Sequence, residues 1–544
     1  MRMRENEELA EYRSLMEPPE EYKDGFGWKT IIGALFIGLV MMPGSIYLGL
    51  VVGQTMGQAA EWTTIILFTE VARRSFTVLS KQEVFLLYYV AGGLAAGDAS
   101  LGLSGGPFAG LVWNAYLKSP SVAPSGLGEK VPNWVAPASN SDAILRRTFM
   151  HPDWLPAIGV LIATQLFSRL AWFTFGYVLF RLTSDGEQLP FPLAPIAAQG
   201  ATALAEASSK EETWRWRIFS VGSMMGIAFG MIYVAIPVLS GVILVQPIQI
   251  LPIPFIDFTQ GTERLLPGAA IGLATNIGSI FGGFVLPFWM VAGSFFASMA
   301  TIIINPVAQV TGHLPTWRPG MDSLRAQWAS SIDIWLSFGI GTAFAIAILG
   351  FIKVAQTWRL AKSEGRKGGL AFGTPPKGRG DFNVWWCLGL FFLATTFYVI
   401  LCKKLVPGFP IYFVLFFGYI WTPFESYINA RMVGLTGQAV AVPMLRQATF
   451  IFSGYKGVDI WFAPIPQSNY GGLAQSFRSV ELTGTKFTSL IKAEVLMFVV
   501  IMTCSFVFWS YVWKLNPIPS GYYPYTEKMW SYSAMSSWLF MSST

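Results

Sequence analysis

Charged side chains are scarce in this chain of 544 residues. Aspartate, glutamate, lysine and arginine make up 12% of it and hydrophobic residues 53%, whereas soluble domains carry about 25% charged residues. Several apolar runs reach the roughly 20 residues that a helix needs to cross about 30 Å of hydrocarbon. The short alternating segments of a membrane β-barrel are missing. The composition therefore predicts an all-α fold, a polytopic transmembrane helical bundle of about 11–14 spans.

Histidine and cysteine are also rare. The two histidines, His151 and His313, border connections between apolar runs, and the three cysteines stand far apart. Without CxxC or Cys/His spacing, neither a disulfide framework nor a zinc site is expected. No HExxH or Walker A sequence occurs, which disfavours an intramembrane metalloprotease and direct use of ATP. We therefore predict no catalytic residues, no metal and no cofactor, and we do not expect an enzyme.

Apolar runs of membrane-crossing length recur along the chain. We predict spans at 30–52, 56–72, 84–112, 154–180, 217–244, 267–288, 289–311, 330–352, 384–402, 409–424 and 489–513. Glycines in the third run favour a break there. Weaker apolar segments lie at 432–452 and 459–475, and a last one at 530–542 is too short to cross.

Most basic residues lie in connections between alternate spans. They concentrate in the N-terminal tail, near 73–81, at 181–217 and after residue 352, and the predicted spans place all four regions on one side. By the positive-inside rule that side is the cytoplasm. We expect a multi-pass protein of the cell membrane with a cytoplasmic N-terminus. Because the net charge of +6 is distributed in this way and forms no compact basic face, nucleic acid is not an expected partner.

The chain divides into two membrane halves around one basic, glycine-rich stretch. Residues 1–29 form a cytoplasmic tail and 30–361 the N-terminal membrane half. Residues 362–382 form a flexible cytoplasmic linker, and 383–544 form the C-terminal membrane half. Paired halves of this kind are typical of transporters.

Two apolar stretches are interrupted by prolines. Residues 185–200 read DGEQLPFPLAPIAAQG, and 247–268 read PIQILPIPFIDFTQGTERLLPG. Each proline lacks an N–H and restricts the residue before it, so neither stretch continues as a regular helix. Such backbone lies at the surface, packs inside the protein or lines a wet cavity. The alternatives are a pair of interfacial loops and a pair of re-entrant elements that bind a solute.

A third irregular region, 425–470, carries charges among small and apolar residues. Arginine at membrane depth costs at least about 2.5–3.5 kcal/mol and therefore needs a partner or water. The alternative is a location on the cytoplasmic surface. Together, the three irregular regions predict one central site.

The candidate solute-binding residues of that site are Gln188, Pro190, Pro192, Asp257, Asn429, Arg431 and Arg446. With two histidines in the chain, proton coupling has to rest on carboxylates, whose pKa rises on burial. The candidates for this second role are Glu83, Asp98 and Glu425, and Asp257 is a further place for a proton to load.

Four stretches resemble the oligopeptide transporter (OPT) superfamily, which includes the yellow stripe-like metal-chelate carriers. In chain order they are Ser80-Lys81-Gln82-Glu83, Gln188-Leu189-Pro190-Phe191-Pro192, Ile256-Asp257-Phe258-Thr259 and Ala430-Arg431-Met432-Val433-Gly434-Leu435-Thr436. The family continues its Leu-Pro-Phe-Pro segment with Ser-Gly-Thr-Ala, whereas this chain has Leu193-Ala194-Pro195-Ile196 and is shorter than typical members. The resemblance is thus to a divergent, prokaryotic-type member. It implies a two-halved helical fold with re-entrant hairpins and proton-driven import.

Three functions remain as hypotheses. The leading one is a secondary active transporter that imports a small peptide-like or chelate-like solute, coupled to protons, by alternating access. The alternative is a transporter-derived structural or assembly subunit of a membrane complex without transport, for which the altered proline motif and the aromatic C-terminus leave room. A channel is the third, although no pore motif is legible. The expected partners are a small-molecule solute and membrane lipids, and a homo-oligomer stays open.

Overall fold

The structure is a computed structural model whose described residues lie between 18 and 544. The longer stretches outside the description are 57–62, 69–73, 75–78, 199–213, 282–287, 353–371 and 440–443, with shorter gaps elsewhere. The predicted span 56–72 and the first half of the predicted linker fall largely in these stretches.

Helices dominate the described chain. They are α1 Trp28–Val52, α2 Lys81–Ala95, α3 Phe108–Lys118, α4 Pro152–Gly186, α5 Trp214–Gly230 with its continuation to Ile236–Ile243, α6 Phe288–Val310, α7 Ser323–Ser330 with Ser331–Trp335, α8 Val384–Leu405, α9 Ile411–Leu415 with its continuation to Thr422–Thr436, α10 Leu445–Phe452, α11 Leu473–Leu482, α12 Phe487–Leu515 and α13 Pro524–Met541. Short helical turns at Asp142–Leu145 and Thr259–Thr262 lie in connections.

The strands form two short antiparallel hairpins. β1 Gly97–Asp98 pairs with β2 Leu103–Ser104, and β3 Phe255–Asp257 pairs with β4 Gly272–Ala274. The first hairpin separates α2 from α3, so the predicted run 84–112 is broken at its glycines. Gly102 has a φ of +64°, and a Cβ there would lie 2.5 Å from the carbonyl oxygen of Gly49. Only glycine permits this approach to α1.

Six of the described helices are long and apolar enough to cross a membrane, by length and composition. They are α1, α4, α8, α12, and the larger parts of α5 and α6. At the first turns of α1 and α8, three tryptophans are 72–74% exposed, namely Trp28, Trp385 and Trp386. Exposed tryptophans at helix ends are typical of a membrane interface. The fold is therefore mostly helical and compatible with an all-α membrane bundle.

One end of the bundle holds the starts of α1, α2, α8 and α12 and the end of α4. We name it the basic end (residues 22–28, 79–82, 181–187, 377–384 and 481–487). Three hydrogen bonds join these segments: Lys23 N to Gly484 O, Gln82 Nε2 to Thr483 O and Arg379 Nη2 to Asp185 Oδ2, at 2.9, 3.3 and 2.6 Å. Parts of all four basic connections thus meet at one end, as their charge predicts.

One hydrophobic core joins both predicted halves. Helices α8 and α11 pack against α4, while α12 packs against α1, α2 and α3. The core includes Trp154 and Phe180 from the first half and Phe487 and Trp509 from the second. Arg379, near the end of the predicted linker, has no exposed surface. This part of the linker is therefore packed, and the expectation of a flexible tether is wrong for it.

Three apolar stretches do not form the continuous helices that spans require. Residues 267–288 contain β4. The helix that enters 432–452 ends at Gly437, whose φ is +73°, and a separate helix begins at Leu445. Within 459–475, residues 463–472 are non-helical. Glycine and proline interrupt helices at these positions. The apolar composition therefore predicted an apolar environment for these stretches, but not that each is broken rather than a continuous helix.

Candidate solute site

Helix α9 carries a face of small polar side chains. Thr422, Ser426 and Asn429 are spaced by four and three residues, so they share one face. All three side chains are buried. Buried hydroxyl and amide groups need hydrogen-bond partners, and this face therefore requires a polar neighbour.

That neighbour is residues 463–472, APIPQSNYGG, which we name the broken segment. Its two prolines and two glycines prevent a helix. Three hydrogen bonds attach it to α9: Thr422 Oγ1 donates to Pro466 O at 2.9 Å, Tyr470 N donates to Ser426 Oγ at 3.0 Å, and Asn429 Nδ2 donates to Asn469 Oδ1 at 2.7 Å. Side chains of α9 thus bind backbone groups that a helix would pair internally.

The broken segment approaches α9 most closely at Gly471. A Cβ on Gly471 would lie 2.5 Å from the backbone nitrogen of Ala430, whereas a Cβ on Gly472 would meet nothing within 4 Å. Only glycine fits at position 471 without a shift of backbone, and the contact fixes the distance between the two elements.

The broken segment lies level with the middle of α8. A Cβ on Gly418 of α9 would fall 2.6 Å from Thr395, in the middle of α8, and 3.0 Å from Pro466. Ser468 and Asn469 are nonetheless exposed. Non-helical backbone therefore occurs at the mid-height of a helix of membrane-crossing length, at Pro466, and the exposed Ser468 and Asn469 follow it along α9 toward Asn429.

Two amide side chains near the broken segment add hydrogen-bonding capacity. The side-chain oxygens of Gln467 and Gln475 are buried and have no hydrogen-bond partner among the described residues. A buried acceptor without a partner is costly. Both oxygens are suited to accept hydrogen bonds from a bound solute.

A second irregular segment, residues 187–193, covers the adjacent face of α9, and we name it the proline turn. Phe191 N donates to Gly434 O at 2.8 Å, and Leu189 packs on the same glycine. Gln188 and Phe191 have positive φ values of 55° and 48°, which non-glycine residues rarely adopt. The turn is therefore held in a strained backbone form against the end of α9.

One ion pair links the proline turn to α9. The Glu187 carboxylate lies 2.8 Å from Arg431 Nε and accepts a hydrogen bond from the Tyr427 hydroxyl. Glu187 follows the last residue of α4. Burial raises its pKa, and the Arg431 charge and the Tyr427 hydrogen bond lower it, with a net rise above the usual value.

Six further charges form a closed cluster at the basic end. Arg379 binds Asp185 and Asp381 at 2.6 and 2.8 Å and Glu481 at 2.5 Å, and it is placed between the rings of Phe180 and Phe487, 5.1 Å from each centroid. The cluster is completed by three more ion pairs, those of Arg181 with Asp185 and with Asp381 and that of Arg478 with Glu481. Three arginines balance three carboxylates. Burial lowers the pKa of Arg379, but the surrounding carboxylates raise it above its usual value overall.

A further buried carboxylate, Glu494, ties three helices together. It lies in α12, accepts a hydrogen bond from the Tyr89 hydroxyl of α2 and pairs with Arg169 Nη1 of α4 at 2.8 Å. An ionisable residue within a membrane-crossing helix is rare and is a candidate functional group.

The structure brings together five of the seven predicted solute-binding residues. Gln188, Pro190 and Pro192 belong to the proline turn, and Asn429 and Arg431 lie on adjacent faces of α9. The proline turn and the 425–470 region therefore meet, as the prediction of one site requires.

Asp257 does not join them. It lies in β3, where it accepts hydrogen bonds from Ser323 N at 2.8 Å and Thr259 N at 2.9 Å. Burial raises the pKa of Asp257, but these two bonds outweigh burial and leave it below its usual value. Lys528 of α13 lies over the Phe255 ring beside it, and α13 packs at the end of α1 opposite to the basic end. The region 247–268 therefore does not share the site, which corrects the prediction of one three-segment centre.

Arg446 also lies apart from the proline turn. Its Nη2 donates to the carbonyl oxygens of Trp461 and Ala463 at 3.2 and 3.1 Å, and its guanidinium lies over the Phe450 ring. Arg446 thereby attaches α10 to the start of the broken segment, and the contacts given for it are not with α9.

The predicted proton carriers occupy other settings. Glu83 accepts a hydrogen bond from Ser80 N at 2.8 Å, Ser80 Oγ accepts one from Glu83 N, and Lys29 pairs with Glu83 at 3.1 Å. This is the reciprocal capping box of a helix start. Glu425, in α9, accepts a hydrogen bond from Trp421 Nε1 at 2.6 Å. The backbone of Asp98 pairs with Leu103, and its side chain lies outside the described residues.

Sequence reasoning missed Glu187, Glu494 and Asn469. A lone glutamate in the apolar run 487–515 was a readable signal for Glu494. The roles of Glu187 and Asn469 depend on Arg431 and Asn429, partners that lie far away in the sequence. The spacing of residues in the sequence does not reveal such pairs. The chain matches no protein-family model, no curated protein and no solved structure.

Proposed function

We propose that this protein is a secondary active transporter that imports a small peptide-like or chelate-like solute, coupled to protons, by alternating access. In this proposal the chain is a divergent relative of the oligopeptide transporters that it resembles. It has two membrane halves, about 11–14 spans, and re-entrant elements. The solute binds between the broken segment, the proline turn and α9.

The broken segment carries this proposal. In hydrocarbon each unsatisfied backbone group costs several kcal/mol, so non-helical backbone at membrane depth is tolerated only inside protein or along a wet cavity. Pro466 lies level with the middle of α8, and the exposed Ser468 and Asn469 follow it along α9 toward Asn429. If α8 crosses the membrane, these side chains require water, and a water-filled cavity at that depth is what a carrier needs.

The basic end faces the cytoplasm in this proposal. Lysine and arginine favour that side, and the basic end collects parts of all four basic connections. The N-terminus is then cytoplasmic, and the proline turn lies at the cytoplasmic mouth of the cavity. The protein resides in the cell membrane.

The second candidate function is a structural subunit without transport. In the most apolar parts of α5 and α6, 11% of the residues are buried. Most of the apolar surface of these two helices is therefore available to lipid or to another chain. A subunit that assembles with partners requires such a surface.

Uptake into proteoliposomes tests the proposal. Di- to penta-peptides, chelated metals and small organic acids would be offered with and without an imposed pH gradient. We expect saturable uptake of at least one class that follows the gradient and is lost in Asn469→Ala, but is retained in Asn140→Ala, which changes an exposed asparagine of a connection. Flux that rises linearly with concentration would indicate a channel, and no flux over the whole panel would favour the structural subunit.

A further inference from the structure

Glu187 holds the proline turn to α9 through two bonds that respond differently to protons. The Arg431 pair at 2.8 Å exists only while the carboxylate is ionised. The Tyr427 hydroxyl bonds either form, because a hydroxyl both donates and accepts. Protonation of Glu187 therefore removes its ion pair with Arg431 and preserves its hydrogen bond with Tyr427.

The neighbouring ionisable groups have other partners. On the α4 side Asp185 pairs with Arg181 and Arg379. On α11 Arg478 pairs with Glu481, and on α9 Glu425 accepts from Trp421. Within the part of the chain that the structure describes, the charged and titratable groups that contact Glu187 are Arg431 and Tyr427, both on α9, and burial raises the pKa of Glu187 against their effect.

Arg431 is 4% exposed along its side chain. A buried cation that loses a partner charge is strongly destabilised. When Glu187 takes up a proton, Arg431 keeps its positive charge, and the negative charge beside it disappears. A second anion that enters the site then regains the lost interaction.

Building on the proposed function, we propose that Glu187 binds the coupled proton and that the solute carries a carboxylate, which takes the place of Glu187 beside Arg431. The proton adds to a carboxylate oxygen of Glu187, and no covalent bond of the solute changes. One proton and one carboxylate enter together, so the charge of the site is the same before and after loading. Because two carboxylates compete for one arginine, proton binding and solute binding favour each other.

Protonation also loosens the proline turn. With the ion pair gone, the turn is held by the Phe191 N to Gly434 O bond and by apolar packing, while its positive-φ residues favour relaxation. Release of the turn opens the cytoplasmic mouth of the cavity. The same proton thus admits the anion to Arg431 and prepares the inward opening.

Hydrogen–deuterium exchange of the full chain in nanodiscs tests whether the Glu187 ion pair holds the proline turn to α9. Pro190 and Pro192 have no N–H, so exchange in 187–194 reports a few amides, among them that of Phe191. After correction for the intrinsic pH dependence of exchange, acidification from about pH 7.5 to about pH 4.5, across the ordinary glutamate range, should speed exchange about tenfold in wild type. Glu187→Gln should exchange at the fast rate at both pH values, and Glu425→Gln should behave as wild type.

Tyr427→Phe provides a second variant that keeps the ion pair. Loss of the phenol removes a bond that lowers the pKa of Glu187, so the transition to fast exchange should move to higher pH. A turn that is equally protected in wild type and Glu187→Gln at both pH values would overturn the assignment of the proton to Glu187.

Matched pairs of probes test the solute class. Thermal unfolding at about pH 5 would be measured with dialanine, succinate and citrate, and with the amide of each. We expect at least one acid to raise the unfolding temperature, its amide to have no effect, and Arg431→Gln to abolish the shift. If no acid stabilises wild type, or if the amides act equally, the carboxylate assignment is wrong.

The outcomes separate this inference from the proposed function. Gradient-driven uptake that persists unchanged in Glu187→Gln would reject the proton site and leave the transporter standing. If the proline turn opens when Glu187 is protonated but the protein moves no solute, the proton site at Glu187 is retained and the transport function is rejected.

Discussion

Arg379 shows how much a single side chain contributes to the fold. Its guanidinium is fully buried and satisfies three carboxylates from α4, the end of the predicted linker and α11. A buried ion pair adds little stability compared with an apolar pair, but removal of one partner leaves an uncompensated charge. Arg379 is therefore needed because its neighbours are already ionised and buried.

Substitution of Arg379 should unfold the basic end. Arg379→Met leaves Asp185, Asp381 and Glu481 with two arginines, and we expect a loss of about 3–5 kcal/mol, as found when one partner of a buried pair is removed. Thermal unfolding of the purified protein in detergent measures it. Lys377→Met, two residues earlier and exposed, is the control and should match wild type; an equal melting temperature for both variants would contradict the role of the cluster.

Lys118 makes stability depend on pH. Its amino group is buried, with Asn133 Oδ1 and Ala136 O as partners at 3.2 and 2.8 Å, and burial lowers its pKa from 10.5 to about 8. Between these values the unfolded chain binds the proton and the folded chain does not, so stability should rise with pH across this window, by up to about 3 kcal/mol. Below about pH 8 Lys118 is charged in the folded protein, and the full free-energy cost of burying that charge lowers the stability.

The pH dependence of unfolding from about pH 7 to about pH 10.5 checks this directly. In Lys118→Met the rise should disappear, whereas Lys130→Met, which changes an exposed lysine of the same connection, should retain it. A Lys118→Met profile that runs parallel to wild type would show that other groups cause the rise.

At the scale of elements, the site depends on two irregular segments that flank one helix. The broken segment meets the face of α9 with Ser426 and Asn429, and the proline turn meets the face with Tyr427 and Arg431. Residues one and two positions apart on a helix point in different directions. Helix α9 can therefore transmit a change at one segment to the other.

Two adjacent glycines isolate the contact between α9 and the broken segment. Gly471→Ala places a Cβ 2.5 Å from backbone nitrogen of Ala430, and forced overpacking of this kind costs about 1–3 kcal/mol. Gly472→Ala meets open space and should be near neutral. Thermal unfolding of the two variants compares them, and equal stability would mean that the close approach does not exist.

The sequence predicted elements better than their contacts. Apolar runs identified α1, α4, α8 and α12 because burial in an apolar medium needs long apolar helices. Prolines correctly marked 187–193, within the predicted stretch 185–200, as irregular. The sequence could not say which irregular regions meet: 247–268 has the same proline pattern, yet β3 and β4 and the bonds of Asp257 place it elsewhere.

Local motifs were also open to two interpretations. Ser80-Lys81-Gln82-Glu83 resembles a family signature and contains the candidate proton carrier Glu83. Its four-residue spacing is equally that of a capping box, and the structure shows the reciprocal bonds of the box. Asn469 and Glu187 gain their roles from Asn429 and Arg431, partners that are far away in the sequence. Such pairs form only when the whole chain folds.

At the scale of the whole molecule, orientation follows from the basic end. The cysteines are buried, at positions 387, 402 and 504, which allows single new cysteines to be labelled in the native background. We expect an impermeant maleimide added to intact cells to label Lys130→Cys and to leave Lys377→Cys unlabelled until the membrane is permeabilised. The reverse pattern would invert the proposed topology.

In the proposed function, the broken segment lines a water-filled cavity at membrane depth. Ser468→Cys and Leu393→Cys place a thiol on the broken segment and on the exposed apolar surface of α8, where Leu393 is 54% exposed. Leu393 lies near the mid-height of α8, and Ser468 is two residues beyond Pro466, which is level with Thr395 of α8. A charged, water-soluble methanethiosulfonate reagent should modify Ser468→Cys rapidly in membranes and spare Leu393→Cys, because the first thiol meets water and the second meets lipid. An unreactive Ser468→Cys, or equal reactivity at both positions, would contradict the account.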